Sequence, residues 1–167
     1  MRLAVIPGSF DPVTLGHTDL IRRACALFDR VLVTAMVNPD KRYRLSDEQR
    51  LRLLRLAVAP FPNAEADLWR GMQWEYLRDR GACAAVKGIR SADDLRYELE
   101  IDAFNRAHGM ETVFLPADSR YINLSSTEVR RRLDAGEPLT GCVTPEAETL
   151  LREIWIKERR TDGGDPN

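Results

Sequence analysis

A short apolar run leads through a glycine-serine turn into a helix near the start of the sequence. Residues 3–6 are all apolar, as in a buried strand, and Gly8-Ser9 follows one residue later. Thr14 and His17 then lie three residues apart at the predicted helix start, where this spacing makes them neighbours. Gly8 lets a ligand approach the backbone, and the unpaired N–H groups of a helix N-terminus attract anions. The segment therefore predicts a phosphate-binding turn, although a plain turn with a capping histidine would explain His17 alone.

Apolar runs and helical patterns alternate along almost the whole chain. The further strand-like runs are 31–36, 64–68, 84–86 and 112–115, and the helical patterns are 17–28, 46–57, 72–80, 93–108, 125–135 and 145–158. This alternation predicts an α/β fold, a doubly wound, Rossmann-like parallel sheet of about five strands flanked by helices, with C-terminal helices. Ligands bind such sheets at the carboxyl ends of the strands, where the strand order reverses.

Size and composition fit one domain over residues 1–160, followed by a polar tail, 161–167, that is expected to be disordered. The 167 residues are 44% hydrophobic and 31% charged, as in soluble globular proteins, and the net charge is −1. Nothing in this balance favours nucleic acid or an anionic membrane. Because no apolar segment has the length of a membrane span and no signal-peptide pattern precedes the first strand, a cytoplasmic location is expected.

The cysteines and histidines predict no metal site belonging to the protein. Cys25, Cys83 and Cys142 are far apart and in no metal-ligand spacing, and His17 and His108 are the only histidines. Reduced thiols are the expected state of the three cysteines.

Cations follow two of the predicted strands. Lys41 comes after the second strand and Lys87-Gly88-Ile89-Arg90 after the strand at 84–86. Most loop lysines are simply solvated, and a basic surface turn would account for 87–90 taken alone. Their position at the carboxyl ends of strands, with glycine between two cations, favours phosphate binding instead.

Ser125-Ser126-Thr127 begins a predicted helix, where hydroxyls and free amides can bind an anion. Taken alone, ordinary N-capping is the simpler explanation. Glu98, on the predicted helix at 93–108, is likewise expected to be a solvated surface residue when it is considered alone.

These segments together resemble the bacterial phosphopantetheine adenylyltransferases of the nucleotidyltransferase superfamily. Pro7–His17 resembles the superfamily's (T/H)-x-G-H signature in its Thr form, preceded by Gly-Ser-Phe-Asp-Pro. Residues 87–90 resemble the family's R-G-[IL]-R pattern, with Lys87 in place of the first arginine, and Tyr97-Glu98 follows as in the family. Residues 121–130 resemble the I-S-S-[ST]-x-x-[RK] motif with leucine in place of isoleucine.

The resemblance implies transfer of AMP from ATP to 4′-phosphopantetheine, which gives dephospho-CoA and pyrophosphate in coenzyme A biosynthesis. It implies direct in-line attack, Mg²⁺ that arrives with ATP, a homohexamer, and neither nucleic acid nor membrane as partner. Nicotinamide or nicotinate mononucleotide adenylyltransferases and cytidylyltransferases of the same superfamily are the alternative, although they usually carry histidine in place of Thr14. A non-catalytic nucleotide-binding module is a further alternative.

The resemblance also implies the roles of individual residues. The catalytic residues it implies are Thr14, His17 and Lys41. The residues it implies for ATP are Ser9, Phe10, His17, Gly88, Ile89, Arg90, Glu98, Tyr121, Ile122, Asn123, Leu124, Ser125, Ser126 and Thr127. The residues it implies for 4′-phosphopantetheine are Ser9, Lys41, Met72, Gln73 and Lys87, with Trp74 beside its pantetheine arm. Asn105-Arg106 also matches the family and is expected to be structural or interfacial.

Overall fold

The computed structural model describes the backbone of residues 1–162 and the side chains of residues 1–157. Its strands are β1 (Leu3–Gly8), β2 (Arg30–Val37), β3 (Ala64–Arg70), β4 (Ala84–Ile89) and β5 (Thr112–Pro116). They pair in parallel in the order β3-β2-β1-β4-β5. The doubly wound parallel sheet predicted from the alternating pattern is confirmed.

The helices are α1 (Leu15–Leu27), α2 (Asp47–Val58), α3 (Gln73–Arg80), α4 (Ala92–Ala107), α5 (Ser126–Ala135) and α6 (Pro145–Asp162). Serine side chains cap α2, α4 and α5 at their N-termini, since Ser46, Ser91 and Ser125 each accept a backbone N–H of the first turn. Helix α6 includes the first two residues of the predicted tail, and residues 163–167 lie outside the described residues. Within residues 1–162, no helix is long and apolar enough to cross a membrane.

The two faces of the sheet carry separate apolar clusters. Ala4 and Ile6 of β1 face the larger cluster, with α1, α2, α5 and α6, whereas Leu3 and Val5 face a smaller one with Tyr76 of α3. This alternation is the two-residue period of a strand buried on both faces. The strand order reverses between β1 and β4, so their carboxyl ends border a cleft in which the turns after both strands meet.

Candidate active site

Thr14 and His17 form a compact unit at the start of α1. Thr14 is the N-cap, its backbone N–H donates to Nδ1 of His17 over 3.0 Å, and its Oγ1 lies 3.0 Å from the same nitrogen. Because a backbone N–H can only donate, Nδ1 is the acceptor and the neutral ring carries its proton on Nε2. The ring of Phe10 packs edge-on against the imidazole, with 5.0 Å between the ring centroids. His17 therefore presents an N–H donor on the side of the ring away from Thr14.

The imidazole of His17 is uncharged at neutral pH. Burial of the ring lowers its pKa to about 4, and the positive charge of Arg90 contributes in the same direction. A neutral imidazole with a fixed tautomer is suited to donating a hydrogen bond to an oxyanion rather than to supplying a positive charge.

Lys41 reaches from the loop after β2 to the turn after β1. Its Nζ donates to Oγ of Ser9 over 2.8 Å. Ser9 precedes Phe10, which packs against His17, so the predicted cation, hydroxyl and imidazole occur in one cluster. The structure thus brings Ser9 and Lys41 together where β1 and β2 end.

Asp11 connects the turn after β1 to the loop after β2 and to α5, a role that was not predicted from the sequence. Its buried carboxylate accepts the backbone N–H groups of Arg44 and Leu45, each over 2.9 Å. Nη1 of Arg130, on α5, lies 3.6 Å from the same carboxylate. No local sequence signal indicates this role, because the two backbone partners are 33 and 34 residues away in the sequence.

The end of β4 and the residue after it carry two cations that pair with acids of α4. Nζ of Lys87 lies 3.1 Å from Oε2 of Glu98, and both side chains are mostly buried. Arg90 donates through Nε to Asp94 over 2.9 Å and through Nη1 to the carbonyl of Leu124 over 3.4 Å. Arg90 also acts on the pKa of His17. The structure thus places Lys87, Arg90 and Glu98 at the reversal point, but it adds carboxylate partners that the sequence did not indicate.

At Gly88 the backbone of β4 approaches α1 closely. A Cβ at this position would lie 3.3 Å from Cδ2 of Leu20, tighter than ordinary contact. Glycine therefore brings Lys87 and Ile89 close to the helix that carries His17.

The hydroxyls at the start of α5 all have partners within the protein. Oγ of Ser125 accepts the N–H of Glu128 over 3.1 Å, and Ser126 donates to the carbonyl of Pro12 over 2.8 Å. Oγ1 of Thr127 accepts from Arg130 over 3.0 Å. Ser126 thus ties the helix start to the turn after β1, whereas Ser125 and Thr127 bond within α5 itself.

Residues 121–124 connect a short 3₁₀ turn (Ser119–Tyr121) to α5. Tyr121 lies over Gly16, where an added Cβ would stand 3.4 Å from Cβ of the tyrosine. Ile122 and Asn123 are exposed, whereas Leu124 packs against the larger core cluster. Their predicted contact with ATP stays a prediction, with Tyr121 adjacent to the helix turn that carries His17.

Met72, Gln73 and Trp74 line a groove of about 300 Å³ between α3 and α4, and Glu100, Ile101, Phe104 and Asn105 complete its lining. Three nitrogens at this groove, Nε2 of Gln73, Nε1 of Trp74 and Nδ2 of Asn105, are buried without a hydrogen-bond partner among the described residues. Asn105 was expected to be structural or interfacial, and the structure places it in the groove lining. A larger cavity of about 560 Å³ lies at the amino-terminal ends of the strands, lined by Leu3, Arg30 and Glu65 among others, away from the predicted site.

The strand order, with an imidazole donor and cations near the reversal point, is the arrangement expected of a nucleotidyltransferase, and comparison with known proteins shows this class. Residues 5–132 match the family model described as cytidylyltransferase-like. A solved structure of a putative nicotinate-nucleotide adenylyltransferase from Vibrio parahaemolyticus has the same fold, with a TM-score of 0.71 and 17% identity over 93% of this chain and 95% of that one.

Curated relatives with higher sequence identity show to which family of nucleotidyltransferases the chain belongs. The phosphopantetheine adenylyltransferase of Acidovorax sp. (strain JS42) is 41% identical over 91% of this chain and 94% of its own. That of Kocuria rhizophila is 42% identical over 92% and 99%, and that of Pseudarthrobacter chlorophenolicus is 43% identical over 83% and 95%. The chain belongs to the phosphopantetheine adenylyltransferase family.

Proposed function

We propose that this protein transfers AMP from ATP to 4′-phosphopantetheine, giving dephospho-CoA and pyrophosphate. The observation that carries the proposal is the contact of Lys41 with Ser9 beside the His17 donor, at the sheet edge where two phosphate-bearing substrates can meet. Family membership supports the same reaction, since the curated relatives are named for it.

The reaction is an in-line attack of the acceptor phosphate on the α-phosphorus of ATP. The attacking oxygen is already an anion, so no general base is needed, and the protein must align two polyanions that repel each other. Lys41 and Ser9 bind the acceptor phosphate. The Nε2–H of His17 donates to an α-phosphate oxygen as negative charge develops there, and Arg90 with the start of α5 stabilises the departing pyrophosphate. Mg²⁺ enters as part of the Mg–ATP substrate.

The groove between α3 and α4 suits the pantetheine arm. This arm is a mostly apolar chain with two amide groups, and the accessible lining of the groove is almost wholly apolar, with three unpartnered nitrogens buried among its lining residues. We assign Met72, Gln73 and Asn105 to this arm, with Trp74 as a wall of the channel.

A cytoplasmic location and a homohexameric assembly complete the proposal, both by analogy with the family.

The proposed activity is tested by pyrophosphate release with ATP, Mg²⁺ and 4′-phosphopantetheine. The expected result is stoichiometric dephospho-CoA and pyrophosphate, with nicotinamide and nicotinate mononucleotide as inactive acceptors and CTP as a poor donor. Faster turnover with a mononucleotide acceptor would reassign the substrate. Tight ATP binding without pyrophosphate release would identify a non-catalytic module.

Lys87→Arg is expected to leave the Michaelis constant for 4′-phosphopantetheine unchanged or to lower it. Lys87 is a point charge 3.1 Å from Glu98, whereas a guanidinium can keep that ion pair with one edge and present another N–H to a phosphate. Steady-state kinetics at saturating ATP measures the constant. A rise of tenfold or more, on the order of 1.4 kcal/mol of lost binding, would show that the acceptor phosphate is bound elsewhere.

A further inference from the structure

We propose that Arg50, a fully buried residue of α2, is a positioning residue that places Ser9 and Lys41 for the acceptor phosphate. The inference rests on the proposed function, and it concerns a residue that does not itself contact substrate, because its side chain is 0% exposed.

Arg50 joins the carboxyl ends of two neighbouring strands. Its Nη1 donates to the carbonyl of Ser9 over 2.8 Å and to the carbonyl of Met36 over 3.2 Å. Ser9 directly follows β1, and Met36 is the penultimate residue of β2. One nitrogen therefore bridges the two chain segments just beyond the last residues paired between β1 and β2, Gly8 and Ala35, and the Ser9–Lys41 contact spans the same two strand ends.

The same guanidinium supports the loop that carries Lys41. Its central carbon lies 3.9 Å from the centroid of the Tyr43 ring, and Nζ of Lys41 lies 5.7 Å from that centroid. The hydroxyl of Tyr43 donates to the carbonyl of Met36 over 3.2 Å and accepts the N–H of Asn38 over 3.0 Å. The loop after β2 is thus folded around a tyrosine that rests on Arg50.

Packing alone does not require an arginine at this position. Burial of a permanently charged group is costly, and the pair with Asp47, 2.6 Å from Nη2, offsets only part of that cost. Nε of Arg50 is buried without a partner among the described residues. What an apolar side chain could not supply is three hydrogen bonds in fixed directions together with a flat face for Tyr43.

The Asp47 carboxylate keeps the guanidinium in this orientation. A hydrogen bond from Arg50 is the main cause that lowers the pKa of Asp47, and Arg70 contributes in the same direction. Asp47 also contacts Arg70 at the end of β3, which ties a third strand end to the same cluster.

The test is the Arg50→Lys variant of the full chain. This variant keeps the positive charge but loses the planar guanidinium and its several N–H donors. We expect the Michaelis constant for 4′-phosphopantetheine to rise about tenfold while that for ATP changes less than about twofold, because a small misplacement of Lys41 weakens the acceptor site while ATP keeps its expected contacts beyond Ser9. Calorimetric titration with 4′-phosphopantetheine in the absence of ATP is expected to show the same loss of affinity.

A double-mutant cycle separates positioning from general destabilisation. Lys41→Ala is expected to cost much less in the Arg50→Lys background than in the wild type, since the lysine is already misplaced there. Additive costs, or equal rises in both Michaelis constants, would overturn the proposal.

Two further variants keep the test decisive. Leu54→Ala removes a fully buried side chain from the same helix, and it is expected to lower the melting temperature with the acceptor constant unchanged. If Arg50→Lys does not fold, Asp47→Asn removes the carboxylate that orients the guanidinium, and an unchanged acceptor constant in it would overturn the inference. A wild-type protein inactive with 4′-phosphopantetheine would instead contradict the proposed function, whatever the variants show.

Discussion

Replacement of His17 by alanine is expected to lower kcat about 10²- to 10³-fold while the dissociation constant for ATP changes less than about fivefold. The Thr14 N–H fixes the imidazole with its proton on Nε2, directed away from the helix cap. A donor of this kind acts mainly on the charge that develops at the α-phosphate in the transition state, so its loss affects turnover more than ground-state binding. Pyrophosphate release gives kcat, and calorimetric titration gives the affinity for ATP.

His17→Gln is the matched variant because it retains an N–H donor at a similar reach. It is expected to recover part of the lost turnover, whereas near-normal kcat in His17→Ala would remove the residue from the mechanism.

The pH dependence of kcat in the wild type is a second test of the role of His17. Since the pKa of His17 is lowered from 6.5 to about 4, the ring is already neutral throughout pH 6–8, and protonation of this ring adds no acid limb to the kcat profile there.

The lowered pKa of His17 also fixes the sign of its effect on stability. The unfolded chain binds a proton at this residue below about pH 6.5, and the folded protein does so only below about pH 4. The free energy of unfolding therefore keeps this contribution above pH 6.5 and loses it as the pH falls from 6.5 to 4. His17→Gln is expected to show a shallower loss of melting temperature over that range than the wild type.

The alternating apolar and helical patterns were sufficient to predict the sheet, and the differences have local causes. Strand β4 extends to Ile89 rather than ending at residue 86, because Lys87 and Gly88 break the apolar run while the backbone continues to pair with β5. Helix α1 begins at Leu15, two residues before the predicted start, because Thr14 is its N-cap and His17, in the first turn, completes the cap by accepting the Thr14 N–H.

The meeting of Ser9 and Lys41 was predictable because a parallel sheet gathers strand ends on one edge. The hydrogen-bond and ion-pair partners of Lys87 and Arg50 were not predictable from the sequence. The Lys87–Glu98 ion pair depends on how α4 packs against β4, and no local sequence pattern predicts that packing. Arg50 belongs to a helix rich in arginine, where a solvated face is the normal expectation, and its partner Ser9 is 41 residues away in sequence.

Lys41→Ala is expected to reduce kcat/KM for 4′-phosphopantetheine about 10²-fold and to leave the affinity for ATP nearly unchanged. The ammonium, held 2.8 Å from Ser9 in the wild type, is the cation best placed to bind the attacking phosphate and to offset its repulsion from ATP. Ser9→Ala removes the hydroxyl that orients the ammonium but leaves the charge, so a smaller reduction is expected. Steady-state kinetics with each substrate varied in turn separates the two effects.

Arg42→Ala is the control, because it removes an equal charge from the adjacent, exposed position of the same loop. If Lys41 acted only through the overall positive potential of the loop, the two alanine variants would lose similar activity, and both losses would disappear at high salt. A specific contact predicts a large loss at residue 41 that persists at high ionic strength and a small, salt-sensitive loss at residue 42. Equal losses at the two positions would mean that the loop attracts the acceptor by general electrostatics and that another group orients its phosphate for attack.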